Sequence, residues 1–235
     1  MYTNSTVLLT GVGAEGQVGE VVAQGFAQLG ASLVLVDRAL EHVQARAAVL
    51  TASGHRARGY SCDLSDADAV ATLAGQIRAE HGDKLRALVH MAGGFGMSGP
   101  VAESAPSDWS RQLTINLTTA YLTTRAFLPL LRGDRGSLVL FSSEAALPGA
   151  NAAGMSAYAI AKQGVAGLVR AVAAEEKAHG VRANAVAPTA IRTNANVASM
   201  GANVDYVERE EVADVVMFLC SERASAITGQ LIALS

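Results

Sequence analysis

The stretch VLLTGVGAEGQVG, residues 7–19, decides the fold of this chain. Three apolar residues and a threonine, a run typical of a buried strand, lead into glycines at positions 11, 13, 16 and 19. Glycines after a strand allow a tight turn and let backbone amides approach a pyrophosphate at the N-terminus of the next helix. The stretch therefore predicts a strand, a phosphate-binding turn and a helix.

The glycine spacing admits two registers. Gly11-x-Gly13-x-x-Gly16 fits the dinucleotide fingerprint, and Gly13-x-x-Gly16-x-x-Gly19 fits a wider version of it. The residues between the last two glycines, Gln17 and Val18, belong to the same predicted cofactor-binding loop. A glycine motif alone is weak evidence, but here a strand precedes it, a helix follows it and an acidic residue lies about 20 residues further on.

That acidic residue is Asp37, which follows the apolar run Leu33–Val36. A carboxylate at this position can accept both hydroxyls of an adenosine ribose and repels a 2′-phosphate, so it favours NAD over NADP. Glu15 in the glycine loop points the same way. Arg38 is the opposing signal, because it can pair with a 2′-phosphate, and NADP is therefore not excluded. Asp37 can also cap a helix, and the two roles can coexist.

Apolar and β-branched runs alternate with amphipathic stretches along the whole chain. The predicted strands are Val7–Thr10, Ser32–Val36, Ala57–Ser61, Ala87–His90, Ser137–Phe141, Arg182–Val186 and Gln230–Ala233. The predicted helices are Val18–Leu29, Leu40–Thr51, Asp66–His81, Ser107–Leu131, Ala157–His179 and Glu208–Leu219. This alternation predicts an α/β fold with right-handed crossovers and a parallel sheet covered by helices on both faces. Without a linker or an internal repeat, residues 1–235 are expected to form a single domain.

Local signals mark where some elements begin and end. Ser65 followed by Asp68 resembles a capping box and predicts a helix start. Gly30 and Gly180 are placed where helices should stop. Two longer loop-like stretches, Gly93–Pro106 and Thr193–Val207, follow strands and are the candidate substrate-facing segments.

Composition excludes several classes of protein. With 50% hydrophobic residues and a net charge of −3, the chain is neither disordered nor suited to nucleic-acid binding. No apolar run is long enough for a transmembrane helix, and residues 1–6 lack the basic start of a signal peptide, so a cytoplasmic location is expected. Cys62 and Cys220 are too few for a disulfide framework and are expected to be reduced buried thiols. The histidines lack metal-ligand spacing, so no metal site is predicted.

The pair Tyr158 and Lys162 carries the predicted chemistry. Residues four apart share one helix face. A phenol with a pKa near 10 is a poor acid or base at neutral pH, but a cation one turn away stabilises the phenolate. Such spacing arises by chance, yet here Ser142 and Ser143 end the preceding strand. Asn116 also lies inside a predicted helix, where a buried amide that competes with the backbone needs a reason.

In this order, these segments resemble the short-chain dehydrogenase/reductase family over nearly the whole chain. The segments that carry the resemblance are Thr10-Gly11 with the glycine loop, Asp37, Cys62-Asp63-Leu64, Ala92-Gly93, Asn116, Ser143, Tyr158-x-x-x-Lys162, and Pro188 with Thr193. The resemblance implies a Rossmann-type, doubly wound sheet of seven parallel strands in the order 3-2-1-4-5-6-7.

The resemblance also implies catalytic roles. Tyr158 would be the general acid/base for an alcohol/carbonyl pair, and Lys162 would lower its pKa and hold the nicotinamide ribose. Ser143 would hydrogen-bond the reacting oxygen, with Ser142 as the alternative serine. Asn116 would hold a water that links Lys162 to solvent. The structural alternatives are a strand-end cap for Ser143 and a mid-helix kink for Asn116.

Further cofactor contacts follow from the resemblance. They are Asp63 and Leu64 at the adenine, Ala92 and Gly93 along the cofactor channel, and Pro188, Ile191 and Thr193 near the nicotinamide. Asp63 can instead cap the next turn, and Pro188 can be only a turn residue.

The chain departs from the family pattern in several places. The glycine loop is longer than usual, with Gln17 where the middle glycine normally lies. The usual Asn-Asn-Ala-Gly reads His90-Met91-Ala92-Gly93, and His90 is expected to be structural rather than catalytic. Extra residues in 149–155 are expected to bulge over the active-site mouth. The segment between Thr193 and Glu208, where the substrate lid normally lies, is short, and the usual Asp-Gly-Gly tail is lacking.

The leading hypothesis is an NAD(P)(H)-dependent oxidoreductase that transfers a hydride between the nicotinamide and a small alcohol or carbonyl substrate. The short lid is also similar to dihydropteridine reductase, although Ser143 counts against that alternative. A non-catalytic NAD(H)-binding regulator is the second class. The resemblance implies a homotetramer or homodimer formed through helices 107–131 and 157–179, with no nucleic-acid or membrane partner.

Overall fold

The computed structural model describes residues 2–235 as seven strands in one parallel sheet. The strands are β1 Thr6–Thr10, β2 Ser32–Asp37, β3 Arg56–Ser61, β4 Ala87–His90, β5 Ser137–Phe141, β6 Arg182–Pro188 and β7 Leu231–Leu234. Their order across the sheet is β3-β2-β1-β4-β5-β6-β7, and every neighbouring pair is parallel. The predicted doubly wound sheet and its strand order are confirmed.

Across residues 2–235, eight α-helices accompany the sheet. They are α1 Val18–Gln28, α2 Leu40–Ala52, α3 Ala67–His81, α4 Pro106–Leu113, α5 Thr119–Gly133, α6 Ser156–Glu175, α7 Asn194–Met200 and α8 Arg209–Cys220. The buried side chains of α1, α2 and α8 form one core layer, and those of α3, α5 and α6 form the other.

The apolar strands fill both layers because successive side chains point to opposite faces. In β1, Val7 and Leu9 belong to one core layer and Leu8 belongs to the other, and all three are fully buried. Burial on both faces is why these strands read as continuous apolar runs rather than as alternating patterns. Fully burying one such side chain contributes roughly 1.5–3 kcal/mol.

The structure differs from the predicted helices in three places. The predicted helix Ser107–Leu131 is divided into α4 and α5 by a π-helical turn at Thr114–Thr118. The predicted helix Ala157–His179 ends at Glu175 and is followed by a 3₁₀ turn. The predicted loop Thr193–Val207 contains α7, whose seven residues are too few to show a helical period in the sequence.

Helix ends partly match the local signals. Gly30 and Gly180 follow helices with positive φ angles of 86° and 72°, as predicted. The predicted cap at Ser65 is wrong, because Asp66 caps α3 by accepting hydrogen bonds from the Asp68 and Ala69 amides at 2.9 and 3.0 Å. The Ser65 hydroxyl instead donates to Asp63 Oδ1 at 2.6 Å.

The parallel strands bring the predicted site together at one edge of the sheet. The glycine loop follows the carboxyl end of β1, Gly93 follows β4, Ser143 follows β5, and Thr193 follows β6. Across residues 2–235, the structure holds no helix with both the length and the apolarity to cross a bilayer. Cys62 and Cys220 are free and buried.

Candidate active site

The glycine loop is built by four glycines that cannot carry a side chain. Gly11 turns with a φ of 74°, and a Cβ on it would lie 2.7 Å from the backbone nitrogen of Ala92. A Cβ on Gly19 would lie 2.6 Å from the carbonyl oxygen of Gly11. The tight turn therefore belongs to Gly11, and the close packing of helix on strand belongs to Gly19.

The two middle glycines serve close contacts with other segments. A Cβ on Gly13 would lie 3.0 Å from Cγ of Asp37, and the Gly13 amide donates to Asp37 Oδ2 at 2.9 Å. Gly16 has a φ of 71° and accepts a hydrogen bond from the Asn194 amide at 3.1 Å. Each predicted register therefore describes part of the loop, because all four glycines are sterically required.

Glu20 holds the loop in place, a role that no motif in the sequence indicates. Its carboxylate accepts from the Gly16 amide at 2.7 Å and from Arg46 at 2.6 Å. Although burial raises the pKa of Glu20, these two hydrogen bonds lower it below its ordinary value. The Gly16 amide is therefore occupied by a carboxylate of the protein itself.

The N-terminus of α1 lies next to the contact between Gly16 and Glu20. Gln17 is the residue before the helix, and its side chain makes no capping hydrogen bond. Val18 begins the helix, and the amides of Val18 and Gly19 lie at its positive end without a side-chain cap from Gln17, while the Glu20 amide donates to the Gln17 carbonyl at 3.1 Å. This geometry fits a phosphate group.

Two predicted adenosine-binding carboxylates lie at the carboxyl ends of the neighbouring strands β2 and β3. Asp37 accepts from Gly13 through one oxygen and from the Ala39 amide, at 3.3 Å, through the other. Asp63 accepts from the Ser65 amide and hydroxyl at 2.9 and 2.6 Å, and these bonds lower its pKa. Asp63 thus caps a turn, as its structural alternative predicts, while Arg38 remains exposed.

The two serines at the end of β5 have different roles. The Ser142 hydroxyl is buried and donates to the carbonyl oxygen of Lys162 at 2.8 Å. The Ser143 hydroxyl accepts from the Ala145 amide at 3.3 Å, and its interaction with Tyr158 lowers the pKa of the phenol. Ser142 is therefore committed to the packing of β5 against α6, and Ser143 is the serine next to the phenol.

Tyr158 and Lys162 lie one turn apart on α6, as predicted. The Lys162 Nζ donates to the carbonyl oxygen of Phe141 at 2.9 Å and lies 5.8 Å from the centre of the Tyr158 ring. Burial lowers the pKa of Lys162 to about 8. Burial raises the pKa of Tyr158, and the hydrogen bond from Ser143 partly offsets that rise. The expected lowering of the Tyr158 pKa by Lys162 stays a prediction.

Asn116 lies in the π-helical turn and faces the loop after β4. Its Oδ1 accepts from the Gly94 amide at 3.1 Å, and its Nδ2 donates to the Gly94 carbonyl at 3.0 Å. A Cβ on Gly93 would lie 2.6 Å from Asn116 Oδ1 and 3.4 Å from Lys162 Nζ, so the glycine faces the gap between these groups. The buried asparagine therefore lies both in a π turn and at the predicted active site, and π turns are frequent at functional sites.

His90 is fully enclosed beneath this turn. Its Nδ1 lies 3.0 Å from the Thr10 hydroxyl, and its Nε2 lies 3.3 Å from the Thr119 hydroxyl. Burial and the charge of Lys162 lower the pKa of His90 to about 3, so the ring is neutral. These contacts support the structural role expected for His90, because it joins β1 to the start of α5.

The Tyr158 ring packs against a second aromatic side chain. The Phe95 ring meets the Tyr158 ring edge to face, with 5.1 Å between ring centres. The Ser98 and Gly99 amides donate to the Gly154 carbonyl at 2.8 and 3.0 Å. The 149–155 segment thus joins the loop after β4, which also carries Phe95. The expected bulge over the active-site mouth stays a prediction.

The remaining predicted residues lie around the same edge. Pro188 ends β6 and Ile191 pairs with Val207 in a short bridge. Thr193 is buried and caps α7 by accepting from the Asn196 amide at 3.1 Å. The other members of the set are Leu64, which is buried, and Ala92, which is partly exposed beside Gly11.

Comparisons with known proteins agree with this geometry. The family model described as enoyl-(acyl carrier protein) reductase matches residues 11–235. D-threitol dehydrogenase of Mycolicibacterium smegmatis is 31% identical over 92% of this chain and 86% of its own. Cis-4-hydroxycyclohexanecarboxylate dehydrogenase of Sinomonas cyclohexanicum is 34% identical over 94% of this chain and 92% of its own. The structure of a short-chain type dehydrogenase/reductase from Mycobacterium ulcerans superposes with a TM-score of 0.90, at 30% identity, over 99% of this chain and 89% of that chain.

Proposed function

Because the chain belongs to the short-chain dehydrogenase/reductase family of oxidoreductases, we propose that it transfers a hydride between NAD(H) and a small alcohol or carbonyl substrate. The observation that carries this proposal is the group of Ser143, Tyr158 and Lys162, in which a buried lysine lies one helical turn from the phenol, with its Nζ 5.8 Å from the ring centre, and the serine lowers the pKa of the phenol. Relatives named for alcohol substrates, such as the D-threitol dehydrogenase, support the same reaction class.

The residues around the glycine loop fit a nicotinamide dinucleotide. The uncapped amides that follow Gln17 would hold the pyrophosphate, and Asp37 would hold the adenosine ribose. Asp37 favours NAD, whereas the exposed Arg38 leaves NADP as the alternative. Asp63, Gly93 and the remaining predicted cofactor residues would line the rest of the path. The bound nicotinamide supplies the hydride acceptor or donor.

The protein's own groups would handle the proton. In alcohol oxidation, the Tyr158 oxygen as phenolate takes the proton of the substrate hydroxyl, and in carbonyl reduction the phenol returns it. Ser143 donates a hydrogen bond to the substrate oxygen and holds it beside the phenol. Lys162 would place a positive charge 5.8 Å from the centre of the Tyr158 ring, and Asn116 Oδ1 faces the gap beside Lys162 Nζ.

The test is turnover by the purified enzyme with NAD(H) and NADP(H) on a panel of alcohols, carbonyls and a quinonoid dihydropteridine. Tyr158→Phe should lower kcat/KM by at least about 100-fold, because general acid–base catalysis contributes about that much or more. Binding of NADH, followed by fluorescence, should be unchanged. Tyr121→Phe is the matched control, since this tyrosine is exposed on α5.

Each alternative has its own outcome. Turnover by Tyr158→Phe at the wild-type rate would contradict the proposed mechanism. Activity restricted to the dihydropteridine would favour the pteridine reductase alternative. Tight NADH binding without turnover of any substrate would favour a regulator. We further propose a homotetramer or homodimer and a cytoplasmic location, the latter to be checked by cell fractionation.

A further inference from the structure

Gln112 is a buried side chain in direct contact with Asn116. It lies four residues earlier, in the last turn of α4, and is only 1% exposed. Its Oε1 accepts from Asn116 Nδ2 at 2.9 Å, and its main-chain oxygen accepts from the same nitrogen at 3.1 Å. Gln112 therefore supplies two of the acceptors that surround one end of the Asn116 amide.

These acceptors decide which way the Asn116 amide points. Nδ2 is a donor and faces only acceptors, namely the two oxygens of Gln112 and the Gly94 carbonyl. Oδ1 is an acceptor and faces the Gly94 amide and the gap toward Lys162. A reversed amide would set donor against donor at Gly94 and lose the bonds to Gln112.

The orientation matters because the Lys162 ammonium has only donors. An acceptor on its open side can take a hydrogen bond from it, directly or through water, whereas a reversed Asn116 would present a second donor. We propose that Gln112 is a positioning residue, which holds Asn116 with Oδ1 toward Lys162 and so supports proton delivery to Tyr158. This inference rests on the proposed function, since it assigns Gln112 a part in that reaction.

Packing alone does not account for a glutamine at this position. Gln112 Nε2 is buried without a hydrogen-bond partner in the part of the chain that the structure describes. A Cβ on Gly96 would lie only 2.4 Å from this nitrogen, so the loop after β4 passes directly over the Gln112 amide. An unsatisfied buried donor destabilises the fold, and an apolar side chain of similar shape would avoid that loss.

The experiment separates positioning from packing with Gln112→Met and Gln112→Glu. Methionine keeps the volume and removes the acceptor, so kcat should fall about 10-fold while the melting temperature stays equal or rises. The solvent deuterium isotope effect on kcat should increase, because proton delivery becomes slower. Glutamate keeps an oxygen toward Asn116 and should stay within about 3-fold of the wild-type kcat. Gln44→Met, an exposed site on α2, is the matched control.

A double-mutant cycle with Asn116→Ala completes the test. If Gln112 acts through Asn116, the double variant Gln112→Met/Asn116→Ala should be no slower than Asn116→Ala alone. Three results would each overturn the proposal. The first is a double variant whose loss of kcat equals the product of the two single losses. The second is a normal kcat and isotope effect in Gln112→Met, and the third is a higher kcat in Gln112→Met than in Gln112→Glu. If Tyr158→Phe is inactive and Gln112→Met is normal, only this inference fails. If Tyr158→Phe turns over like the wild type, both fail.

Discussion

Tyr158 shows how a single residue is balanced between opposing effects. Burial of the phenol raises its pKa because the charged form loses hydration, and the hydrogen bond from Ser143 stabilises the phenolate and lowers the pKa in part. The net result is a pKa above the ordinary value near 10. Alcohol oxidation needs the phenolate, so its rate should rise with pH through the alkaline range.

Ser143→Ala should shift the pH profile of alcohol oxidation to higher pH. The substitution removes the hydrogen bond that lowers the Tyr158 pKa, so the midpoint of kcat/KM for alcohol oxidation should shift to higher pH, in addition to a lower maximum. The measurement is the pH profile of kcat/KM, which reports the groups of the free enzyme. Ser142→Ala, which removes a structural hydroxyl, should leave the midpoint in place. A midpoint at or below the wild-type pH in Ser143→Ala would contradict this balance.

At the scale of elements, the connection of α4 to α5 is the informative feature. The helical pattern continues through residues 114–118, yet the backbone widens there into a π turn. Thr119 closes the turn, since its hydroxyl donates to the Ile115 carbonyl at 2.9 Å and lies 3.3 Å from His90 Nε2. The buried histidine thus donates to Thr119 and supports the turn that carries Asn116.

The ends of α5 and α6 are joined by an ion pair that should be measurable in stability. Arg132 donates to both oxygens of Glu176 at 2.8 and 2.6 Å, and the Glu176 side chain is only 2% exposed. Arg132→Met leaves this carboxylate without its partner and should lower the free energy of unfolding by about 1–2 kcal/mol. The effect falls below that of a fully buried pair because Arg132 is half exposed.

The pH dependence of this loss follows from the sign of the Glu176 shift. Hydrogen bonding to Arg132 holds the pKa of Glu176 below its ordinary value, so the pair contributes stability above the unfolded pKa. That contribution is lost as pH falls through the lower, folded-state pKa, and the difference between wild type and variant should narrow there. Urea unfolding at several pH values measures this difference in the free energy of unfolding between the wild type and Arg132→Met. Arg58→Met, which breaks an exposed pair with Glu80, should have little effect at any pH, and an equal loss there would argue against the assignment.

At the scale of the whole molecule, the parallel sheet gathers distant segments at one edge. Residues from the ends of β1, β4, β5 and β6 meet there, while α4, α5 and α6 present exposed apolar side chains elsewhere. Trp109, Tyr121 and Ile160 are 41%, 49% and 44% exposed. Apolar surface on long helices is often covered by another subunit.

We expect the protein to be a homotetramer, or a homodimer, assembled through these helices. Ile160→Arg should lower the mass measured by light scattering, because a charge at the centre of an apolar contact is costly to bury. Val49→Arg, on the exposed face of α2, is the control and should leave the mass unchanged. A wild-type mass equal to that of one chain would contradict the expectation.

Much of the fold was predictable because its signals are local and repeated. Continuous apolar runs, amphipathic stretches and glycines at the turns all specify the same alternation, and the strand order followed from the family resemblance. Asp66 and α7 were missed for the opposite reason, since a cap depends on one backbone geometry and seven residues show no clear period.

The sequence by itself determined which residue types stand at the ends of the strands, from the glycine loop to Tyr158 and Lys162. Spacing along one helix or one loop is enough to specify such groups. Only the tertiary structure decided that Glu20 holds Gly16, that the Ser142 hydroxyl is bonded to the Lys162 carbonyl, and that Gln112 contacts Asn116. These contacts depend on the direction of single hydrogen bonds between packed elements, and no sequence pattern encodes that direction.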